Sequence, residues 1–307
     1  MRFRYQEKNT CIHKVNPLCK ILWAGILMVL ALIFNHPVYL LLLFLASLPL
    51  TAAARIWREW SSFMKFTLYL SLMIIAFNII INQNGMNVLW QAPFRLPVLG
   101  TPAVTLEALV YGISMSLRLM AIISAFVLLT LTVHPDDIMQ VLLKIKIPYK
   151  SVLVTSLSTR FVPALIDDAE RISDIQRTRG LELDRGNMRQ RIRNRTAVII
   201  PLLCNSLDRT VQIAEAMEAR AFGSGTRRSF YKEIKLTPAD VLMLAVSLIS
   251  LVLGILIRCL GQGDYRYYPA LQPFDAGSFE WHFPAALVIL IVAMVPLAMM
   301  KKGLDID

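Results

Sequence analysis

The chain has 307 residues, of which 56% are hydrophobic and only 17% are charged, below the roughly 25% of charged residues in a typical soluble domain. Together with a mean hydropathy of +0.56, this composition excludes an ordinary soluble globular protein and indicates an integral membrane protein. The net charge of +11 does not require nucleic acid as a partner, because membrane proteins collect Lys and Arg in their cytoplasmic loops.

Several apolar segments have the length needed to cross a hydrocarbon core of about 30 Å. The first apolar stretch, residues 18–54, is interrupted by Asn35, His36 and Pro37. Proline disfavours helix at the residue before it, so we predict a tight turn there between two short spans. No small-residue cleavage site follows the first span, which we interpret as a retained anchor. We predict an all-α membrane protein with about six spans, the other four at 63–81, 106–133, 239–260 and 283–300.

The uneven distribution of Lys and Arg predicts the orientation of the spans. With six spans, 28 of the 32 Lys and Arg residues lie on one side, which the positive-inside rule places in the cytoplasm. We therefore predict a multi-pass protein of a bacterial-type cell membrane with both termini and residues 134–235 in the cytoplasm. Its four regions are a cytoplasmic N-terminal segment, spans one to four, a cytoplasmic coupling-helix domain, and spans five and six with the C-terminal tail (1–17, 18–133, 134–235 and 236–307).

Arg118 lies in the middle of the predicted fourth span. An ionisable residue at that depth is costly and is by default a candidate for function. The alternative is a structural role, in which Arg118 faces other helices and bonds a polar partner such as Asn78 or a helix carbonyl. The sequence leaves both roles open.

A long amphipathic helix is predicted from Pro148 to Arg179, because apolar residues recur there at steps of three and four. We expect Pro163 to kink this helix. It carries too many charged residues for a span, which favours a position along the membrane surface. The helix is followed by Gly180, and glycine is favoured just past a helix end because it adopts left-handed backbone angles without strain.

A second cytoplasmic stretch repeats this design, since it ends Ala219-Arg220-Ala221 with a probable glycine stop at Gly223. Arg offers a rigid fork of donors that matches a carboxylate. Two helices that each end in Arg therefore suggest two equivalent docking points for acidic clefts on soluble partners. We expect the basic connector between them to meet anionic lipid headgroups or water; it contains Arg185, Arg189, Arg191, Arg193 and Arg195.

At these residues the sequence resembles the transmembrane T component of energy-coupling factor (ECF) ABC importers, the EcfT and CbiQ family. The family pattern is two cytoplasmic coupling helices that each end in a small residue, Arg and a small residue. Ala219-Arg220-Ala221 fits this pattern, and Thr178-Arg179-Gly180 fits it with Thr where Ala is more usual. The resemblance covers about residues 10–260 and includes family-like segments at 13–20, 160–163 and 215–220. The predicted sixth span and the loop before it extend beyond the usual five-span form.

The resemblance implies a non-catalytic transport subunit with two ABC ATPases and a substrate-binding S component as partners. The ATPases would dock at Arg179 and Arg220 and the small residues beside them (Thr178, Gly180, Ala219 and Ala221), and the cargo would be a vitamin or a transition-metal ion. No glycine in the chain is followed by Lys, so a phosphate-cradling loop is absent from the sequence. The four Cys and four His are scattered, and we predict neither a cofactor nor a metal site.

Two other classes of protein are considered. A conventional ABC permease also carries a cytoplasmic coupling helix, but one per half, and it normally pairs with itself. An intramembrane enzyme could use Arg118 and cytoplasmic carboxylates, but the spans lack a clustered acid–base or metal set. The sequence does not identify the cargo, and it does not show whether the two ATPases are identical or whether the S component is shared.

Overall fold

The computed structural model describes residues 10–82, 85–91, 103–144, 147–181, 186–224, 236–272 and 280–304. These residues are almost entirely helical, which confirms the predicted all-α class. The elements in chain order are α1 (Cys11–Lys14), α2 (Pro17–Ile33), α3 (Pro37–Ala53), α4 (Trp57–Ile81), β1 (Val88–Gln91), β2 (Ala103–Thr105), α5 (Leu106–Thr132), α6 (Pro135–Lys144), α7 (Tyr149–Thr178), α8 (Met188–Ala219), α9 (Pro238–Cys259), α10 (His282–Val292) and α11 (Met294–Leu304).

The chain divides into two compact units. Unit 1 comprises Met1–Ile138 and Lys235–Asp307, and unit 2 comprises Met139–Ile234. Among the described residues, four helical segments are long and apolar enough to cross a membrane: Trp57–Ile81, Leu106–Thr132, Pro238–Cys259 and His282–Met300. The apolar helices α2 and α3 have 17 residues each, so the count of six spans stays a prediction.

The predicted turn between the first two apolar helices is confirmed. Residues Phe34 to His36 separate α2 from α3, and each of these helices begins with proline, whose missing N–H is no loss at that position. Side chains just before each proline cap the helix. Asn16 accepts a hydrogen bond from the Leu18 amide at 3.0 Å, and His36 accepts one from the Val38 amide at 3.2 Å.

Two expectations for the region around α4 are corrected. The helix begins at Trp57 rather than at Phe63; Arg58 and Glu59 made its first turn look polar, but Trp60 is buried there and stacks on Phe44 with ring centroids 6.2 Å apart. The segment after α4, expected to be a loop from 82 to 102, includes β1, which pairs with β2 in antiparallel register. Residues 83–84 and 92–102 of that loop lie outside the described residues.

Small side chains line the contacts among the helices of unit 1. Ser47 and Ser124 share a hydrogen bond of 2.7 Å between α3 and α5, and the Trp60 indole donates to the Ser124 hydroxyl at 3.0 Å. Because lipid tails are as apolar as leucine, helices in a membrane gain from close packing and interhelical hydrogen bonds rather than from hydrophobic burial. Fully buried alanines permit this close approach (Ala24, Ala31, Ala121 and Ala125).

Arg118 bonds the turn between α2 and α3 and not Asn78, whose side chain donates to the Ile74 carbonyl of its own helix. Its guanidinium donates to the Phe34 carbonyl at 2.9 Å and to the Asn35 side-chain oxygen at 2.7 Å. A turn inside an apolar helix bundle leaves backbone carbonyls without partners. The contacts therefore assign Arg118 the structural role of satisfying that turn.

The segment after α9 closes over the same turn. The Gly263 carbonyl accepts hydrogen bonds from the backbone amides of Asn35 and His36 at 2.9 and 3.0 Å. The Asn35 side chain donates to Asp264 at 3.1 Å, and Arg258 pairs with the same carboxylate at 3.0 Å. The hydrogen bond from Asn35, and to a smaller extent the one from Arg258, hold the pKa of the Asp264 carboxyl below its ordinary value. One polar network thus joins the end of α2, the start of α3, the middle of α5 and the segment that follows α9.

Candidate docking site at two helix ends

Unit 2 is built on two long helices, α7 with 30 residues and α8 with 32. Each continues through an internal proline, Pro163 in α7 and Pro201 in α8. At 1.5 Å per residue, each helix is about 45 Å long. Their amphipathic pattern was predicted from the sequence, and the helix at 149–178 agrees with the predicted bounds within one residue.

The two helices run antiparallel. Gln176, near the end of α7, donates to the Ala197 carbonyl in the first third of α8 at 3.4 Å. Further along, Arg209 pairs with Asp168 at 2.7 Å. The rings of Tyr149, at the start of α7, and Phe222, just past α8, lie 6.1 Å apart. The end of α7 and the end of α8 therefore lie at opposite ends of the pair.

Arg179 is the residue that caps the end of α7, with φ −82° and ψ 7°. Gly180 follows in the left-handed conformation at φ +83°, as the sequence predicts. Its amide donates to the Arg177 carbonyl, and the Leu181 amide donates to the Gln176 carbonyl, both at 3.0 Å. This pair of hydrogen bonds is a Schellman motif, which satisfies carbonyls that the helix leaves free.

The end of α8 has the same geometry around Arg220, whose φ is −89° and ψ 14°. The Ala221 amide donates to the Glu218 carbonyl at 2.8 Å, and the Phe222 amide donates to Met217 at 2.9 Å. The predicted glycine stop at Gly223 is wrong. Ala221 takes the left-handed position at φ +53°, at a cost of about 1 to 2 kcal/mol. The contact of Phe222 with Tyr149 lies at this cap and favours ending the helix there.

The two arginines are exposed and stand at the tips of their helices. Within the described part of the chain, neither guanidinium takes part in an ion pair, whereas Arg177 lies 3.5 Å from Asp174 and Arg209 is bonded to Asp168. The residues beside each tip are small, and a β-carbon added at Gly180 would meet nothing within 4 Å. Each tip is a narrow, cationic projection with donors available to a carboxylate. The charge also suits the partial negative charge of a helix C-terminus.

Comparison with known proteins identifies the family of the chain. The family model of CbiQ, described as a cobalt transport protein, matches residues 8–231, a range that contains both arginine tips. The energy-coupling factor transporter transmembrane protein EcfT of Streptococcus equi subsp. equi (strain 4047) is 33% identical over 268 residues, which cover 84% of this chain and 95% of that protein.

The chain belongs to the EcfT and CbiQ family, the transmembrane T components of ECF transporters. The EcfT of Streptococcus thermophilus (strain ATCC BAA-250 / LMG 18311) is 32% identical over 262 residues, with coverage of 81% of this chain and 96% of the relative. That of Acidaminococcus fermentans (strain ATCC 25085 / DSM 20731 / CCUG 9996 / CIP 106432 / VR4) is 29% identical over 276 residues, with coverage of 85% and 96%. The chain is thus a transmembrane subunit of a transporter and a multi-pass protein of the cell membrane.

Proposed function

We propose that this chain couples two cytoplasmic ABC ATPases to a membrane-embedded S component that captures a vitamin or a transition-metal ion for import. The observation that carries this proposal is the placement of Arg179 and Arg220 as matching helix caps at opposite ends of an antiparallel pair. The register of the pair places residue 179 opposite about residue 195, so the two tips lie about 25 residues, or about 38 Å, apart along α8. Two matching tips at this separation suit two separate protein partners better than one.

Each tip would enter a groove on one ATPase and pair with a carboxylate there. The small neighbours of each Arg allow the helix end to approach the walls of such a groove. Because the two tips share one cap geometry, they suit a pair of ATPases that share one fold. Closure of that pair around ATP would then move both ends of the α7–α8 pair together.

Exposed apolar side chains on α7 and α8 support a further partner. Val154 on α7 is 62% exposed, and Ile200 and Leu207 on α8 are 56% and 65% exposed. Large apolar surfaces that face outward commonly mark contacts with protein or membrane. These exposed apolar side chains support docking of the S component on unit 2.

The chain itself would not hydrolyse ATP, because its sequence lacks a glycine-rich loop that ends in Lys. Purification of the tagged chain from native membranes in mild detergent tests the whole proposal. We expect two ATPase copies and one small membrane protein to co-purify with it. A complex of two copies of this chain with ATPases and no S component would instead indicate a conventional ABC permease, and a chain without ATPases would contradict the proposal.

A further inference from the structure

The chain crosses from unit 1 to unit 2 after α5 and returns before α9. The two helix ends that flank these crossing points, the end of α5 and the start of α9, are both bonded to the first turn of α2. The Lys20 ammonium donates to the carbonyl of Thr132, the last residue of α5, at 3.0 Å. The Cys19 thiol donates to the carbonyl of Asp240, in the first turn of α9, at 3.4 Å. We name these two contacts the clasp.

Lys20 is an unusual residue to find in this place. It is only 4% exposed, and its ammonium also donates to the His13 carbonyl at 3.0 Å. A buried ammonium is costly unless hydrogen bonds satisfy it, and the last carbonyls of a helix lack partners within that helix and carry its partial negative charge. Lys20 and the end of α5 therefore satisfy each other, and moving them apart would expose unmet polar groups.

The second contact of the clasp, between Cys19 and Asp240, is held in place by hydrogen bonds at the start of α9. Asp240 is fully buried, and its carboxylate accepts hydrogen bonds from the amide and the hydroxyl of Thr237, at 3.0 and 2.8 Å. This capping box fixes the first turn of α9, so the carbonyl that faces Cys19 cannot shift independently of that helix. Displacement of the end of α5 or the start of α9 would therefore break a contact with α2 unless α2 moved with it.

We propose that the clasp is the relay through which movement of unit 2, carried by the chain into α5 and α9, reaches α2, with Lys20 as its positioning residue. The proposal rests on the proposed function, because ATPases must move unit 2 for a relay to act. Without the clasp, α5 and α9 would move independently of α2, and ATP-driven movement would not reach the first turn of α2.

Arg118 provides a matched comparison on the same pair of helices. Lys20 on α2 bonds the end of α5, and Arg118 on α5 bonds the end of α2 at Phe34. Each cation lies about four helical turns, or about 21 Å, from the carbonyl that ends its own helix. Arg118, in the middle of α5, therefore makes the same kind of contact at the end of α2 that is remote from the crossing points.

The experiment uses the chain in complex with its two ATPases in lipid nanodiscs, after co-purification has been scored. Hydrogen exchange by mass spectrometry is compared with bound ADP and with ATP plus vanadate, for wild type, Lys20→Met and Arg118→Met. In wild type we expect amide exchange to change by about tenfold, or about 1.4 kcal/mol in opening free energy, in α7 and α8 and also in the first turn of α2. In Lys20→Met the change in α7 and α8 and the ATPase rate should persist, while the change in α2 is lost. Arg118→Met should retain both changes.

Three results would overturn the relay. One is a wild-type complex in which amide exchange changes with ATP in α5 and α9 but not in the first turn of α2. This result is obtained on wild type, so it does not depend on whether a variant folds. Another is a Lys20→Met complex whose α2 responds as in wild type. The third is equal loss in Lys20→Met and Arg118→Met. Failure of the ATPases to co-purify with wild type would instead contradict the proposed function, so the two failures are distinguishable.

Discussion

The docking assignment predicts that Arg179→Ala combined with Arg220→Ala separates the transporter into its parts while leaving the chain folded. Both side chains are exposed, and neither has an ion-pair partner among the described residues. Their loss should therefore remove only a favourable helix-end charge, worth about 0.3 to 1 kcal/mol each. In the complex, truncating one member of a buried charge pair costs about 2 to 5 kcal/mol. A loss of about 3 kcal/mol at one site weakens binding more than a hundredfold.

The assay measures ATPase co-purification and substrate uptake for each single variant, the double variant and wild type, with thermal unfolding as a check on the fold. Single variants should keep part of the complex through the other tip, and the double variant should lose uptake and most of its bound ATPase. Arg→Lys at either tip should restore function only in part, because an ammonium lacks the two-pronged geometry of guanidinium.

Arg177 is the matched control. It lies two residues before Arg179 on another face of α7, is exposed, and already has Asp174 within 3.5 Å. Arg177→Ala should therefore leave assembly and uptake near the wild-type level. Uptake by the double variant at the wild-type rate, or equal damage from Arg177→Ala and Arg179→Ala, would refute the docking assignment.

Three further predictions concern stability and topology. Ala221→Gly should raise the free energy of unfolding by about 1 kcal/mol, and Gly180→Ala should lower it by a similar amount, because both positions have left-handed backbone angles. If both substitutions stabilised the protein, or both destabilised it, the cap geometry would be contradicted. Gly263→Ala should destabilise more than Gly261→Ala, since both have φ +80° but only at Gly263 would a β-carbon collide with the buried Phe34 ring. Equal melting temperatures of the two variants would show that this close approach is absent. In a cysteine-free background, external maleimide should label a cysteine at Ser278 and not one at Ser224 in intact cells, and the reverse pattern would invert the predicted orientation.

Hydropathy and helix periodicity predicted the class, the α2–α3 turn and the long helices of unit 2, because both signals lie within short stretches of sequence. The antiparallel register of α7 and α8 was not predictable in this way. Asp168 and Arg209 are far apart in the sequence, and either could have faced water. The cap of α8 was misplaced because Gly223 gave the stronger local signal, whereas a contact across unit 2, Phe222 with Tyr149, lies at the actual end.

Lys20 and Arg118 show a second limit of prediction from sequence. Both are visible in the sequence as cations within apolar segments, but their acceptors are backbone carbonyls. Every residue carries a carbonyl, so no residue type marks which one will be used. The segment 13–20 was recognised only as family-like, and its role in holding the start of α2 depends on the tertiary arrangement.

Site-specific cross-linking in cells determines whether each arginine tip touches a different ATPase. A photoreactive amino acid is placed at Thr178 or at Ala219, each beside one tip, and the adducts are identified by mass spectrometry. We expect an ABC ATPase adduct at both positions, and adducts to two ATPase copies in one complex when both positions carry the probe. Cross-linking of both positions only to lipid, or to the S component and no ATPase, would contradict the docking assignment.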